Sequence, residues 1–151
     1  MIKEFVKAWE VNKPRLSAYF AARPQSEYDT YGKIWQAVIT EVLNPGKDEW
    51  DRLAADKVKV IDDGDYQGTL IFLTPKDGYQ PIETDYVVTF VDYGSCSVCD
   101  LLQDIQNSNP DDYSLGKPTN QQIADYLTLS LHMLQRAKWL YTREEEDAEN
   151  V

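Results

Sequence analysis

The sequence predicts an α+β fold in which a three-stranded antiparallel meander packs with N-terminal and C-terminal helices, in the order ααβββαα. The prediction rests on three patterns. Apolar residues recur at helical spacing up to residue 43, form short strand-like segments between residues 57 and 91, and return to helical spacing after residue 100. The length of 151 residues fits one domain. We place that domain at residues 1–142 and expect an acidic, disordered tail at residues 143–151.

The first segment, residues 2–22, has the apolar spacing of a helix but contains Pro14. Proline lacks a backbone donor and biases the preceding residue away from the helical conformation. We therefore expect either a kink or two short helices that meet at Pro14, with Asn12 as a cap for the second helix.

The next helix has the most regular apolar stripe in the chain, from Tyr31 to Val42. Asp29 or Thr30 is placed to cap its first turn. Pro45 and Gly46 end it, because proline does not continue a helix and glycine accepts the left-handed conformation that follows.

Three segments have strand patterns: 57–61 alternates between polar and apolar residues, 69–73 is a short apolar run, and 86–91 is rich in β-branched and aromatic residues. Asp-Gly dipeptides lie between them, at 62–65 and 76–78, and this is the chemistry of hairpin turns. The acidic run at 62–65 lacks the spacing and the closing glutamate of a calcium loop. We therefore interpret it as a hairpin turn without a metal.

After the third strand we expect a short helix carrying Leu101, a polar loop at 107–118, and a last helix from Thr119 to about Tyr141. The expected core stripe of the last helix comprises Ile123, Leu127, Ser130, Leu134, Ala137 and Tyr141.

On that helix, His132 and Trp139 would lie on the face opposite the core stripe. A tryptophan at such a position indicates that this face is covered as well. Either the N-terminal helices of the same chain or a partner covers it, and we expect the same chain.

Acidic residues dominate the composition, with 26 Asp and Glu against 15 Lys and Arg and a net charge of -11. A field of this sign repels phosphate backbones and anionic lipids, so we expect neither direct nucleic-acid binding nor membrane association. The first residues lack the continuous apolar stretch of a signal peptide, and the longest apolar run, 70–73, is too short to cross a bilayer. We therefore expect a cytoplasmic location.

The most concentrated chemistry lies in the turn from the third strand into the next helix, Gly94-Ser95-Cys96-Ser97-Val98-Cys99-Asp100. Two cysteines at this spacing are typical of a redox pair, because the free N–H groups at a helix N-terminus favour a thiolate. Two such pairs, one from each subunit of a homodimer, would instead supply the four ligands of a zinc site. The third interpretation is structural: Ser95 or Ser97 caps the helix and the thiols are small, partly buried side chains. We favour the structural interpretation.

Other catalytic motifs are missing from the sequence. It contains no phosphate loop, nucleophile elbow or zinc-protease motif, and His132 is its one histidine. A histidine without a nucleophile or carboxylate at helical spacing is poorly suited to acid–base catalysis. We expect a binding protein rather than an enzyme, with no resident cofactor, and zinc is the alternative.

The run from Asp92 to Gln103 (D-Y-G-S-C-S-V-C-D-L-L-Q) resembles a group of small bacteriophage-encoded proteins of unassigned function that share a Y-G-S-C-S-x-C-D motif. The preceding strand from Asp85 to Val88 and the later segment from Leu129 to His132 share the resemblance, which spans the C-terminal half of the chain. It implies a phage origin and the host-cell cytoplasm. It implies no catalytic role.

Together these observations predict a phage-type accessory protein that acts by binding a host or phage protein. Its acidic surface would imitate the charge of DNA and inhibit a nucleic-acid-processing or defence protein. The alternative is a thiol-dependent redox or metal-linked protein centred on Cys96 and Cys99, and a homodimer is compatible with either. The expected binding residues are Gly94, Ser95, Cys96, Ser97, Cys99, Asp100, His132 and Trp139.

Cys96→Ser together with Cys99→Ser tests the structural interpretation of the thiols. We expect the double variant to keep its fold and its binding activity, because serine replaces a small side chain that only fills space. Elemental analysis of the native protein is expected to show no zinc. Stoichiometric zinc that is lost in the double variant would contradict this prediction and favour the metal-linked alternative.

Overall fold

The fold is an antiparallel sheet with helices on one of its faces. The computed structural model describes residues 1–65, 67–78, 80–95 and 100–141. Within these residues the sheet has four strands, β1 (Lys59–Gly64), β2 (Gly68–Pro75), β3 (Tyr86–Tyr93) and β4 (Lys138–Trp139), adjacent in that order. The α+β class predicted from the sequence is therefore confirmed.

The sheet has one strand more than the predicted three. β1, β2 and β3 match the three predicted segments and form the expected meander. β4 adds to the free edge of β3 through the pairs Val87↔Trp139 and Val88↔Lys138. A strand of two residues has too few positions to show an alternation, so the sequence pattern does not reveal it.

Two facing glycines hold the hairpin between β1 and β2. Gly64 pairs with Gly68, and a Cβ placed on Gly68 would lie 2.3 Å from the carbonyl oxygen of Asp63. A side chain at Gly68 would therefore collide with the opposite backbone. The predicted turn at 62–65 is displaced along the chain, because Gly64 is the last residue of β1 and the chain reverses between the two glycines.

Helix α1, Lys3–Ala22, is a single helix that passes through Pro14. The predicted division into two short helices is wrong. Pro14 and Glu10 are both exposed, so the carbonyl of Glu10 that loses its helical donor is accessible to water. Asn12 caps no helix, because its side-chain amide donates to the carbonyl oxygen of Val42 at 2.9 Å and joins α1 to the next helical segment.

Helix α2 occupies Tyr31–Val38, and the chain continues as a short π-helix through Ile39–Leu43. Of the two predicted caps, Asp29 and Thr30, Thr30 is the one that caps α2. Its Oγ1 accepts from the backbone N–H of Lys33 at 3.2 Å. Gly46 has a φ of +82°, the left-handed conformation that the sequence predicts after this helix.

The C-terminal helices are α3, Leu101–Gln106, and α4, Asn120–Arg136. α4 ends earlier than the predicted Tyr141, because Ala137 already has the extended backbone (φ −73°, ψ 137°) that leads into β4. No glycine or proline marks this end in the sequence. Tyr141, predicted in the core stripe, lies beyond the helix and is exposed.

Long-range contacts of Trp139 explain why the chain leaves the helix at this point. The Trp139 ring lies 6.3 Å from that of Phe5, and its Nε1–H donates to Oε1 of Glu4 at 2.9 Å. Trp139 is therefore in a strand and does not share a helix with His132, which corrects the prediction. Residues of α1 in the same chain contact it.

The buried stripe of α4 confirms the predicted Ser130 and Leu134, and the predicted Ala137 is buried directly after the helix, whereas the first half of the stripe differs from the prediction by one residue. Its members are Gln122, Tyr126, Leu129, Ser130, Met133 and Leu134. Ile123 and Leu127 are only half-buried. The burial of Gln122 is tolerated because both ends of its amide are hydrogen-bonded. Its Nε2 donates to the carbonyl oxygen of Ile105 at 3.0 Å, and its Oε1 accepts from the N–H of Thr119 at 2.9 Å. Apolar spacing does not identify such a satisfied polar residue.

Buried hydrogen bonds attach the helices to what we call the inner face of the sheet. Trp35 of α2 donates its Nε1–H to Oγ1 of Thr74 at 2.9 Å. The hydroxyl of Thr89 donates to the carbonyl oxygen of Met133 in α4 at 2.6 Å. Side chains on the opposite, outer face, such as Phe90, remain exposed.

Some expectations concern residues outside the described ranges. The predicted acidic tail at 143–151 lies there, and so do Cys96, Ser97 and Cys99. Within the described ranges, none of the helices combines the length and the apolar character that crossing a bilayer requires.

Trp139→Ala tests whether this side chain belongs to the core of its own chain. The change removes the ring that packs on Phe5 and the hydrogen bond to Glu4, and we expect the free energy of unfolding to fall by about 3 kcal/mol. Urea unfolding measures this loss, and light scattering is expected to give an unchanged mass. Trp139→Phe is the matched control, because it keeps an aromatic ring and should cost about 1 kcal/mol. An unchanged melting temperature with a halved mass would instead place Trp139 in a subunit interface.

Candidate functional site

An open groove with a volume of about 610 Å³ lies where β1 and the inner face of β2 approach the first turns of α2 and α3. The groove is lined by Asp29, Thr30, Tyr31, Gly32, Val60, Asp62, Asp65, Leu70, Phe72, Tyr93, Gly94, Ser95, Asp100, Leu102, Gln103 and Gln106. All six residues of β1 are exposed. The groove is therefore open because the helical layer does not extend over β1.

The floor of the groove is apolar. Val60 pairs with Phe72 across β1 and β2, and Leu70 and Leu102 continue the surface on either side. Val60 is 48% exposed although it points to the same face as the buried Phe72. A concave apolar surface that remains open beside the core is typical of a binding site.

The rim of the groove is acidic. Asp62 and Asp65 lie at the end of the β1–β2 hairpin, and Asp29 precedes α2. The carboxylate of Asp29 is paired with Lys33 at 2.9 Å, four residues later on an exposed turn. Asp62 and Asp65 make no ion pair with any described residue, so they supply the uncompensated negative charge of the rim.

Tyr93 connects the rim to the third strand. Its hydroxyl donates to Oδ1 of Asp62 at 2.6 Å. The side chain spans β2 at Gly68, the residue with which Tyr93 is paired, because glycine leaves room above the strand. This hydrogen bond, then desolvation of the hydroxyl, then the negative charges of Asp62, Asp65 and Asp63 raise the pKa of Tyr93 to about 12. Tyr93 therefore remains a neutral donor at physiological pH.

The buried carboxylate of Asp100 anchors the end of the groove at α3. Its Oδ1 accepts from the hydroxyl of Tyr31 at 2.6 Å and from the N–H of Gln103 at 3.1 Å, so Asp100 caps α3. Its Oδ2 accepts from the N–H of Gly94 at 3.0 Å. One side chain thus joins α2, the end of β3 and the start of α3, and the two ends of the segment between Gly94 and Asp100 are held together.

Tyr31 completes this anchor from the opposite side. Its hydroxyl accepts from the N–H of Leu102 at 3.1 Å while it donates to Asp100. Burial, and then the hydrogen bond to Asp100, raise the pKa of Tyr31 above its usual range. Two amides support the same region: Gln103 donates to the carbonyl oxygen of Gly94 at 3.1 Å, and Gln106 donates to that of Asp29 at 3.2 Å.

The structure brings Gly94, Ser95 and Asp100 of the predicted binding residues together in the groove lining. Ser95 is not the helix cap that the structural interpretation allowed, because Asp100 has that role. Cys96, Ser97 and Cys99 lie outside the described residues. The thiol-dependent alternative therefore stays a prediction.

His132 and Trp139 do not line the groove. His132 is exposed on α4 and borders a separate, smaller depression with Val91 and Arg136. Trp139 packs on α1. The structure therefore divides the predicted binding residues among separate regions.

Sequence reasoning missed several lining residues, among them Tyr31, Asp62 and Tyr93. A usable signal was the alternation in β1, which assigns Asp62 to the same face as Val60 and so places a carboxylate beside an apolar side chain. Among the described residues, no three His, Cys, Asp or Glu side chains are grouped so that they could hold a metal ion.

Comparisons with protein-family models, with curated proteins and with solved structures found no match for this chain.

Asp100→Ala tests the anchor of the groove. The change leaves the Tyr31 hydroxyl and the N–H groups of Gly94 and Gln103 without their acceptor, and we expect the free energy of unfolding to fall by roughly 2–4 kcal/mol. Urea unfolding measures the loss, and hydrogen exchange at Gly94 is expected to accelerate. Tyr31→Phe is the control, because it removes the donor to Asp100 and the acceptor of the Leu102 N–H but keeps the bonds of Asp100 to Gly94 and Gln103, and it should cost less, about 1–2 kcal/mol. Wild-type stability of Asp100→Ala would show that these hydrogen bonds do not anchor α3.

Proposed function

We propose that the protein is a small accessory protein that captures a basic segment of a protein partner in the groove. One observation carries this proposal: the described lining residues combine an apolar floor with an aspartate rim and include no lysine or arginine. A site of this composition favours a ligand that is both apolar and cationic. Lysine and arginine side chains meet that requirement.

The geometry accommodates an arginine side chain in particular. Its apolar stem would pack against the accessible side chains of Val60 and Leu70, and its guanidinium group would reach the carboxylates of Asp62 and Asp65 at the hairpin. The planar arrangement of guanidinium donors allows two parallel hydrogen bonds to one carboxylate, which an ammonium group does not offer. The ring of Tyr93 beside these carboxylates provides an additional surface for a cation.

The charge of the whole chain supports a basic partner. A net charge of -11 attracts positively charged surfaces and accelerates their association, whereas it repels phosphate backbones. Proteins that process nucleic acid carry such basic surfaces. The proposed partner is therefore a host or phage protein whose nucleic-acid-binding segment enters the groove, and occupation of that segment inhibits the partner.

The resemblance to small bacteriophage proteins supports the same biological setting, a phage accessory protein in the host cytoplasm. The thiol-dependent alternative centred on Cys96 and Cys99 is addressed by the double serine variant. That variant leaves the rim carboxylates of Asp29, Asp62 and Asp65 unchanged, so it tests the thiols separately from the acidic rim.

Asp62→Asn together with Asp65→Asn tests the rim directly. The probe is a fluorescently labelled arginine-rich peptide, and anisotropy measures its dissociation constant. We expect about tenfold weaker binding, because each exposed carboxylate–guanidinium pair contributes about 0.5–1 kcal/mol. Binding by the wild type is also expected to weaken as salt is raised.

Two controls separate the groove from general electrostatic attraction. Asp56→Asn with Asp111→Asn removes the same charge from exposed positions outside the groove and is expected to change the dissociation constant by less than about twofold. Gly32→Trp fills the groove without a change of charge and should abolish binding. Gly32→Ala should not, because a Cβ at Gly32 comes no closer than 3.7 Å to its nearest neighbour, the Phe72 ring. Equal weakening in both aspartate variants would contradict a specific groove.

A further inference from the structure

The outer face of the sheet carries an apolar row that crosses three strands. Ile61 pairs with Ile71, and Ile71 pairs with Phe90, so the three side chains are adjacent on this face. Ile61 is 43% and Phe90 39% exposed. The described helices attach to the inner face, and of their side chains Arg136, at the end of α4, reaches this row at Phe90. A continuous apolar row of this kind is typical of an interaction surface.

Charged residues of opposite sign border the apolar row at its two sides. On one side Lys59 and Lys138 lie at the two ends of a row completed by Leu73 and Val88. All four lie on the outer face, because they alternate with the residues of the inner face along their strands. The two lysines therefore form a positive row beside the apolar row, at the end of the sheet where β1 begins.

The other side of the apolar row is negative. Asp63 pairs with Thr69, and Thr69 pairs with Asp92 and donates its hydroxyl to Oδ1 of Asp92 at 2.9 Å. Asp63 and Asp92 are both exposed. The outer face thus consists of a positive row, an apolar row and a negative row, in that order.

We infer that the outer face is the interface between two copies of this chain. The two copies are related by a two-fold axis that lies parallel to the sheet, is perpendicular to the strands and passes over Ile71. Rotation about this axis stacks the two apolar rows. It also places the lysine row of each copy against the aspartate row of the other, so that Lys59 of one copy faces Asp63 of the second. A two-fold interface must be complementary to itself, and a face with opposite charges on either side of a central apolar row satisfies that condition.

The local charge balance makes this pairing compatible with the acidity of the chain. Lys59, Lys138 and Arg136 offset Asp63 and Asp92 on this face, and the Arg136 guanidinium lies 4.9 Å from the centre of the Phe90 ring. Two sheets that pack face to face at about 10 Å bury such rows together. The groove lies on the inner side, so both grooves of a dimer remain open and the inference does not depend on the proposed function.

Charge exchange between Lys59 and Asp63 tests the interface and its axis together. Lys59→Asp alone places like charges opposite each other at two symmetric positions, and we expect the dimer dissociation constant from sedimentation velocity to rise about tenfold. Asp63→Lys alone should act similarly. The double exchange, Lys59→Asp with Asp63→Lys, restores opposite charges across the axis and should return the dissociation constant to near its wild-type value. The two residues are about 13 Å apart along β1, so this rescue reports on contacts between copies.

Phe90→Asp removes the centre of the interface and is expected to give a folded monomer of 17.4 kDa. Val11→Asp is the control, because Val11 is exposed on α1, and it should leave the dimer intact. Circular dichroism checks that each variant is folded. The inference is overturned by a wild-type protein that stays monomeric up to hundreds of micromolar, or by a dimer that persists in Phe90→Asp. A dimer weakened by both single exchanges but not restored by the double exchange would overturn the proposed axis.

Discussion

Two buried threonine hydroxyls hold the helical layer over the middle of the sheet, and the exposed surfaces follow from that placement. Thr74 accepts from Trp35 of α2, and Thr89 donates to the backbone of Met133 in α4. Both threonines belong to the two central strands, β2 and β3. The helices therefore cover the inner face of these strands and leave β1 exposed along its whole length. The groove and the outer face follow from a sheet that is wider than its helical layer and that the described helices cover on one side only.

Buried polar groups in this protein join segments that are distant in sequence. Asp100 accepts from Tyr31 and from two backbone N–H groups, and Gln122 joins α4 to the end of α3. The buried Gln25 accepts from the hydroxyl of Tyr126 at 2.7 Å. Among the described residues, every buried side-chain nitrogen or oxygen has a hydrogen-bond partner. Because an unpaired buried donor or acceptor costs about 1–3 kcal/mol, such networks favour one arrangement of the helices over its alternatives.

Local patterns predicted the elements whose signals are contained in their own residues. The stripe from Tyr31 to Val42, the cap at Thr30 and the three longer strands are of this kind. The sequence did not reveal β4 or the end of α4, because tertiary contacts of Trp139 with α1 determine them. The groove was only partly predictable for the same reason: Gly94 and Asp100 belong to a recognisable turn, whereas Tyr31 joins them through a contact across 69 residues of sequence.

The groove and the outer face both depend on the register in which β1 pairs with β2. Along β1 the side chains alternate, so Asp62 points into the groove while its neighbour Asp63 and the more distant Lys59 point to the outer face. A shift of one residue would exchange these sets, give the groove a lysine and remove the opposed charges from the outer face. The contact between Gly64 and Gly68 opposes such a shift, because only residues without a Cβ allow the two backbones to approach this closely. Two glycines at the end of a hairpin thereby assign adjacent aspartates to different faces of the sheet, and a single strand contributes to both proposed surfaces.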